Sequence, residues 1–280
     1  MRIKGIVTAF LFLAFIFLLA AALGAVRETR IVDAQKDVTI NFLPASGDAD
    51  CIVLEQGENI ILIDTGLAED AEALIAFLNQ KGIRTINYLI LTHPDKDHIG
   101  GAPSVIKNFQ INEIILPNYN KENEDLEALL ETIRQENTNL SYPTRIRQYA
   151  LGGLQLSVYP PLEGHYLNDN NYSLAVLIKH RNVNMLFTGD ARTKRITELE
   201  SIRWPKNLEL YKVNYHGRYL ESSVAFIKKV KPQIAVITAP KADKEILAAC
   251  TEVGAHTFFI SKDENLVFIS DGNTISKKDF

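Results

Sequence analysis

The sequence predicts an α/β fold in which β-sheets are covered by helices. Short β-type runs alternate with amphipathic segments along most of the chain. The run INYLILT (Ile86–Thr92) is continuously apolar, which is typical of a strand with both faces covered. No linker rich in Pro, Gly or Ser divides the chain after residue 37, so residues 38–280 are predicted to form one domain.

The predicted elements follow one another in a regular order. The predicted strands are VTINFL, CIVLEQ, NIILID, INYLILT, INEIILP, LQLSVYPP, YSLAVLIKH, VNMLFTG, ELYKVNYH, IAVITAP, TFFIS and NLVFIS. The predicted helices are AEDAEALIAFLNQKG, IGGAPSVIKNF, KENEDLEALLETIRQEN, SSVAFIKKVK and DKEILAACTEVG. The first of these helices is expected to end at Gly82.

The amino-terminal segment 1–26 is a candidate export signal. Arg2 and Lys4 precede an uncharged run from Gly5 to Val26, and about 20 apolar residues suffice to cross a bilayer as a helix. A run of this kind with small residues at its end is also shaped like a cleaved signal peptide. We therefore expect a transmembrane anchor or a secretory signal, then a polar linker over residues 27–37. The remainder is expected on the extracellular face of the cell membrane, or secreted after cleavage.

Composition and isolated residues say little about function. The net charge is -4, and no basic block is present, so the overall charge does not indicate a nucleic-acid groove. Cys51 and Cys250 are expected to be core residues. His165, His180 and His256 are expected at the surface or in turns.

The stretch LILTHPDKDHIGG (Leu89–Gly101) carries the strongest chemical signal. It places His93, Asp95, Asp97 and His98 directly after an apolar strand. One interpretation is a polar turn in which Asp97 caps the next helix. Capping needs only one side chain, however, whereas imidazoles and carboxylates together are the ligands of zinc and manganese.

Three motifs resemble those of the metallo-β-lactamase superfamily. They are LIDTG, THPDKDHIGG and FTGD, in that order and each at the end of a predicted strand. The segments SGDADC, NNYSLAV and NYHGRYLESS extend the resemblance to the extracellular nuclease-like domain of ComEC-type competence proteins. The resemblance covers residues 38–280. It implies an αββα sandwich of two sheets flanked by helices, here preceded by an N-terminal hydrophobic helix.

The resemblance also implies a metal centre that binds one or two Zn or Mn ions. His93 and Asp95 would hold the first ion, and Asp97 and His98 the second. The other implied site residues are Asp190 as a bridging ligand, His216 as a ligand or proton donor, Asp64 as a residue that orients the loop, and Asn170 or Asn171 where a third histidine stands in other members. The two asparagines are equally compatible with a simple turn before a strand.

Several positions depart from the family pattern. Asp95 replaces a histidine, Tyr215 replaces the first histidine of the family's HHGS motif, and Arg218 replaces its serine. The family's late GHP loop is missing after Pro240, and with it a usual ligand of the second ion. The metal centre is therefore either incomplete or restricted to one ion.

The resemblance implies a metal-dependent phosphodiesterase or nuclease, with DNA or a cell-wall polymer as substrate. Asp97 or Asp190 would accept the proton of the attacking water, and His216 would protonate the leaving oxygen. Arg218 and Lys212 would neutralise a phosphate, or are solvated surface charges. The alternative is a non-catalytic module that binds DNA or the cell wall and has lost part of its metal site.

Overall fold

A computed structural model describes residues 36–260 and 264–278. The apolar segment 1–26, with its predicted anchor or signal, and almost all of the predicted linker lie outside the described residues. None of the helices within the described ranges combines the length and the apolar character needed to span a bilayer.

The described residues form two β-sheets. In chain order, the strands β1 to β15 are Val38–Phe42, Cys51–Gln56, Asn59–Thr65, Thr85–Ile90, Gln110–Ile115, Leu140–Ser141, Arg147–Leu151, Leu154–Tyr159, Ala175–His180, Val183–Phe187, Leu208–Lys212, Pro232–Ile237, His256–Phe259, Leu266–Ser270 and Ile275–Lys277. The first sheet has eight strands in the order β15-β14-β1-β2-β3-β4-β5-β6. The second has seven strands in the order β13-β12-β11-β10-β9-β8-β7.

Helices cover the outer face of each sheet. The α-helices α1 to α7 are Ala71–Gln80, Lys96–Ile99, Ala102–Asn108, Glu124–Gln135, Thr193–Glu200, Glu221–Val230 and Lys244–Glu252. Helices α1, α3 and α4 pack on the first sheet, and α5, α6 and α7 pack on the second. A third core lies between the sheets and is built largely of Ile, Val, Leu and Phe side chains. The predicted αββα sandwich is confirmed.

The sequence located most of the elements, and it missed those with weak patterns. Strands β6, β7 and β15 are short or largely exposed, and half of the residues of α5 are charged, so none of these elements was predicted. Cys51 and Cys250 are free and buried, as expected. The prediction for His180 was wrong, because this residue ends β9 fully buried, with Nδ1 3.0 Å from Ser270 Oγ.

Parallel strand pairing brings the chemical motifs to one end of the sandwich. Strand β3 pairs parallel with β4, and β10 pairs parallel with β11, which pairs parallel with β12. The LIDTG motif ends β3, and the HPDKDH, TGD and NYHG motifs lie in the loops that follow β4, β10 and β11. Since the carboxyl ends of parallel strands lie at the same edge of a sheet, motifs far apart in sequence meet there.

Close backbone packing explains the two glycines that follow the HPDKDH loop (residues 93–98), which is called the ligand loop below. A Cβ at Gly100 would lie 2.6 Å from the backbone nitrogen of Ala68, and one at Gly101 would overlap the carbonyl oxygen of Thr65. Gly101 also donates a backbone hydrogen bond to Gly66, at 3.2 Å. The glycines thus let the ligand loop lie directly against the loop that follows β3.

We predict that Gly101→Ala lowers the free energy of unfolding by about 1–3 kcal/mol, because the added methyl group forces two loops apart. Urea unfolding followed by circular dichroism measures the change. Gly164→Ala is the matched control, since its Cβ would meet no atom within 4 Å, and it should stay within about 0.5 kcal/mol of the wild type. Equal stability of the Gly101→Ala variant and the wild type would show that this packing is not required.

Candidate metal centre

The ligand loop forms a short helix, and its acidic side chains are not used to cap it. Asp95 stands at the N-cap of α2 but makes no side-chain capping hydrogen bond. Asp97 and His98 lie inside this helix. The alternative of an ordinary capped turn, in which Asp97 caps the next helix, therefore does not describe the loop.

Four predicted site residues meet in one cluster. One donor atom each from Asp97, His98, Asp190 and His216 can be chosen so that all four lie within 4.8 Å of one another. Nε2 of His216 lies 2.7 Å from Oδ2 of Asp190. Nε2 of His98 lies 3.6 Å from Oδ1 of Asp190 and 3.8 Å from Oδ2 of Asp97. Two carboxylates and two imidazoles at this spacing match the donor set of zinc or manganese.

The buried histidine nitrogens provide a test of whether an ion fits. Nε2 of His93, His98 and His216 is buried in each case and makes no hydrogen bond of acceptable geometry. Buried polar atoms in folded proteins almost always have a partner. A cation among the Nε2 atoms of His98 and His216 and the adjacent carboxylates would give both nitrogens a partner, so these residues fit a divalent ion.

His93 and Asp95 stand beside this cluster as a less complete pair. Nε2 of His93 lies 3.4 Å from Oδ2 of Asp95, and the imidazole rings of His93 and His98 are 4.1 Å apart at their centroids. Within the described ranges, neither residue joins a group of three or more compact His, Cys, Asp or Glu donors. The positions predicted for the first ion are therefore poorer in donors than those predicted for the second.

Of the two adjacent asparagines, Asn170 faces the cluster and Asn171 does not. Nδ2 of Asn170 lies 3.4 Å from Oδ2 of Asp190. The side chain of Asn171 instead accepts a hydrogen bond from the backbone of Arg195, at 3.1 Å, and so supports helix α5. Of the two candidates from the sequence, only Asn170 is placed to contact an ion or a substrate.

Asp64 fixes His98 from behind. Its carboxylate lies 2.8 Å from Nδ1 of His98 and accepts hydrogen bonds from the backbone and hydroxyl of Thr92, both at 2.7 Å. Asp64 has a left-handed φ of 57° and is fully buried. A carboxylate bonded to Nδ1 sets the ring orientation and leaves Nε2 for a metal, so Asp64 is in contact with the ring that it was predicted to orient.

Asp50 and Lys212 are site residues that the sequence did not assign correctly. Lys212 is 1% exposed and forms an ion pair with Asp50, and its Nζ lies 3.4 Å from Oδ1 of Asp190. The sequence suggested that Lys212 is a solvated surface charge or a phosphate ligand. Its burial and its ion pair with Asp50 show that it is neither a surface charge nor free to bind a phosphate. Asp50 also lies 3.6 Å from Nδ1 of His216. Asp50 lies in the SGDADC motif, which supported the family resemblance. The spacing of the motifs did not indicate which residue Asp50 would contact.

Electrostatics in the cluster favour ionised carboxylates. Burial disfavours the charged form of Asp190, but the charges of His216, Lys212 and His98 outweigh it and hold the pKa of Asp190 well below its usual value. Burial likewise opposes the charge on His98, yet the carboxylates of Asp64 and Asp190 raise the pKa of its imidazole well above the usual value. The carboxylate of Asp190 is thus held in its ionised form, which is the form that binds a cation.

The turn that carries His216 is strained and anchored. Tyr215 and His216 adopt successive left-handed conformations, with φ values of 50° and 51°, which are costly for residues other than glycine. Nδ1 of His216 lies 3.0 Å from the Thr238 hydroxyl at the end of β12. Thr238 thus supports the imidazole next to the position where the family's late loop is shortened.

Arg218 lies outside the cluster. Its side chain is 54% exposed, pairs with Asp48 and lines a cleft of about 520 Å³ that also reaches His216. Arg218 is therefore not one of the clustered donors.

We predict that Asp64→Asn lowers the metal affinity about 10–100-fold, since the loss of the charged partner leaves the imidazole of His98 less basic and less well oriented. Titration calorimetry with Mn²⁺ or Zn²⁺ measures the change. Asp125→Asn makes the same chemical change at an exposed position on α4 and should leave the affinity unaltered. An Asp64→Asn variant with wild-type affinity would contradict the orienting role.

Sequence comparison relates this chain to part of two longer proteins. The chain is 28% identical over 226 residues to ComE operon protein 3 of Bacillus subtilis, covering 71% of this chain and 29% of that protein. It is 25% identical over 200 residues to competence protein ComA of Neisseria gonorrhoeae, covering 69% and 26%. The chain thus spans less than a third of the length of these curated relatives.

Solved structures share the fold. YhfI from Bacillus subtilis, a metallo-beta-lactamase fold protein, superposes with a TM-score of 0.58 at 12% identity, covering 84% of this chain and 100% of that one. Tm1679, a metal-dependent hydrolase of the beta-lactamase superfamily, gives a TM-score of 0.54 at 12% identity and covers 82% and 98%. The sequence profile of the metallo-beta-lactamase superfamily matches residues 46–239, which is more than half of the chain. This chain belongs to the metallo-beta-lactamase superfamily.

Proposed function

We propose that this chain is a metal-dependent phosphodiesterase. The observation that carries the proposal is the buried cluster of Asp97, His98, Asp190 and His216, in which one donor atom from each side chain lies within 4.8 Å of the others. The superfamily includes metal-dependent hydrolases. A divalent ion, Zn²⁺ or Mn²⁺, would be held by these four side chains, with His93, Asp95 and Asn170 beside it.

When bound, the ion would lower the pKa of a coordinated water and polarise the bond under attack. Among the four clustered residues, Asp97 has the most accessible carboxylate, with 34% of its side chain exposed compared with 3% for Asp190. Asp97 is therefore the better placed of the two to accept the proton of the attacking water. Asp190 is enclosed by Lys212 and His216, which suits a fixed ligand.

His216 is better suited to binding the ion than to donating a proton. Its Nδ1 is occupied by Thr238, its Nε2 faces Asp190, and its side chain is only 2% exposed. A proton donor to the leaving oxygen has to reach the substrate. We therefore assign His216 to the ligand set, and the leaving oxygen would take its proton from solvent.

The cleft beside His216 supports an anionic substrate. It is lined by the cationic side chains of Arg192, Arg218 and Lys241, and the guanidinium group is the side chain that best matches phosphate geometry. The resemblance to the nuclease-like domain of ComEC-type proteins favours DNA among phosphodiesters. A cell-wall phosphodiester is the second candidate, because it suits an exported location.

We further propose that the domain acts outside the cell membrane. The basis is the amino-terminal pattern of Arg2 and Lys4 followed by the apolar run from Gly5 to Val26. Protease accessibility on intact cells tests this location: a protected domain would contradict it.

We predict that Asp97→Ala and His216→Ala each reduce hydrolysis of the chromogenic substrate bis(p-nitrophenyl) phosphate at least about 100-fold. His216→Ala should also lose most of its bound metal, measured by elemental analysis. His165→Ala, at an exposed histidine, should change neither value.

Removal of the metal distinguishes a metal-dependent phosphodiesterase from a non-catalytic binding module. Dialysis against a chelator should abolish turnover, and added Mn²⁺ or Zn²⁺ should restore it. A wild-type chain that binds metal but hydrolyses no phosphodiester with any divalent ion would support the non-catalytic module. Unchanged turnover in both alanine variants would rule out the proposed centre.

A further inference from the structure

Tyr215 is contacted by two guanidinium groups at the entrance of the cleft. The guanidinium carbon of Arg192 lies 4.8 Å from the centroid of the Tyr215 ring, and that of Arg218 lies 5.2 Å from it. These distances are within the range of cation–π attraction. The ring is therefore contacted by one arginine from the loop before α5 and by one from the turn after His216, and both arginines line the same cleft.

This arrangement is coupled to the candidate metal centre through the backbone. Tyr215 and His216 are consecutive, and their left-handed conformations place the imidazole in the buried cluster while the phenol ring lines the cleft. The guanidinium pair is thus fixed next to a candidate metal ligand. A group bound to the pair would lie beside the reacting phosphate.

The cleft combines aromatic rings with positive charge. Besides Arg192, Arg218 and Lys241, it is lined by Tyr219, whose side chain is 48% exposed. An exposed tyrosine beside fixed cations provides a surface on which a planar base can stack while the cations contact phosphates. A cell-wall polymer without bases would use the cations but not the rings.

Two carboxylates lie close to the positive charges of the cleft. Asp48 pairs with Arg218, and Asp243 accepts a hydrogen bond from the backbone of Tyr219, at 2.7 Å. Asp243 is therefore already engaged by the backbone. Asp48 competes directly with a phosphate for Arg218, which makes it a useful position for a gain-of-affinity test.

We propose that Tyr215, Arg192 and Arg218 form a binding element for single-stranded nucleic acid, with Tyr219 as a stacking surface. The two arginines would grip a phosphate next to the scissile phosphodiester, and an adjacent base would stack on the exposed ring. This inference rests on the proposed phosphodiesterase function and specifies its substrate class and the residues that select it.

Binding of a fluorescent phosphorothioate oligothymidylate, which resists cleavage, tests the proposal by anisotropy with the full, Mn²⁺-loaded chain. Tyr219→Ala should weaken binding roughly 5–150-fold, the range that corresponds to the loss of one stacked base. Arg192→Ala and Tyr215→Ala should also weaken binding at least fivefold, and Tyr215→Phe should retain wild-type affinity.

Asp48→Asn should tighten binding, because it removes the carboxylate that competes with a phosphate for Arg218. Lys206→Ala, which removes a positive charge from a separate cleft, is the control and should have little effect.

Competing polymers identify the substrate class. An unlabelled oligothymidylate should displace the probe, whereas an abasic oligonucleotide and poly(glycerol phosphate) at equal phosphate concentration should compete at least fivefold less well. Equal competition by poly(glycerol phosphate) would overturn the assignment in favour of a cell-wall polymer. Equal loss of affinity in Lys206→Ala and Arg192→Ala would also overturn it, because binding would then follow net charge alone.

A separate readout distinguishes this inference from the proposed function. Metal content and turnover of bis(p-nitrophenyl) phosphate are measured on the same preparations, and both should be near wild-type in Lys206→Ala, whose side chain lies in a separate cleft. If the wild type shows no turnover but the binding pattern holds, the enzyme assignment fails and the nucleic-acid site stands. If turnover is normal but all variants bind the oligonucleotide as the wild type does, the binding element is wrong.

Discussion

The structure depends on how it compensates the negative charge buried at one end of the sandwich. Asp50, Asp64 and Asp190 are each 2% exposed or less, and Asp97 lies next to them. Buried carboxylates are stable only when they are paired or coordinate a cation. Lys212 neutralises part of this charge through its contacts with Asp50 and Asp190, and the imidazoles of His98 and His216 offset more of it at Asp190.

Two sheets are needed to build this arrangement. The first sheet supplies Asp64 at the end of β3 and the histidine-rich loop after β4, while the second supplies Asp190 after β10 and His216 after β11. The apolar core between the sheets holds these four loops in register. Hydrogen bonds then orient each imidazole from its Nδ1 side, so His98 depends on Asp64 and His216 depends on Thr238. The Nε2 atoms are directed towards the same place as a result.

The sequence predicted the fold and the main cluster because both leave local patterns. Continuous apolar runs marked the buried strands, and HPDKDH placed four donors within six positions. Residues whose roles depend on distant partners were harder to assign. Lys212 looked like a surface charge, yet it ends a buried strand opposite Asp50, and no local pattern links these two positions. Likewise, two adjacent asparagines look equivalent in sequence, and only the turn they form decides that Asn170 faces Asp190.

Anomalous X-ray diffraction from crystals of the full chain grown with Mn²⁺ would test the central claim most directly. The account predicts an anomalous peak within coordinating distance of Asp97, His98, Asp190 and His216, with Lys212 still paired to Asp50. A peak elsewhere, or a cluster that stays free of metal while the imidazoles bond to protein groups, would contradict it.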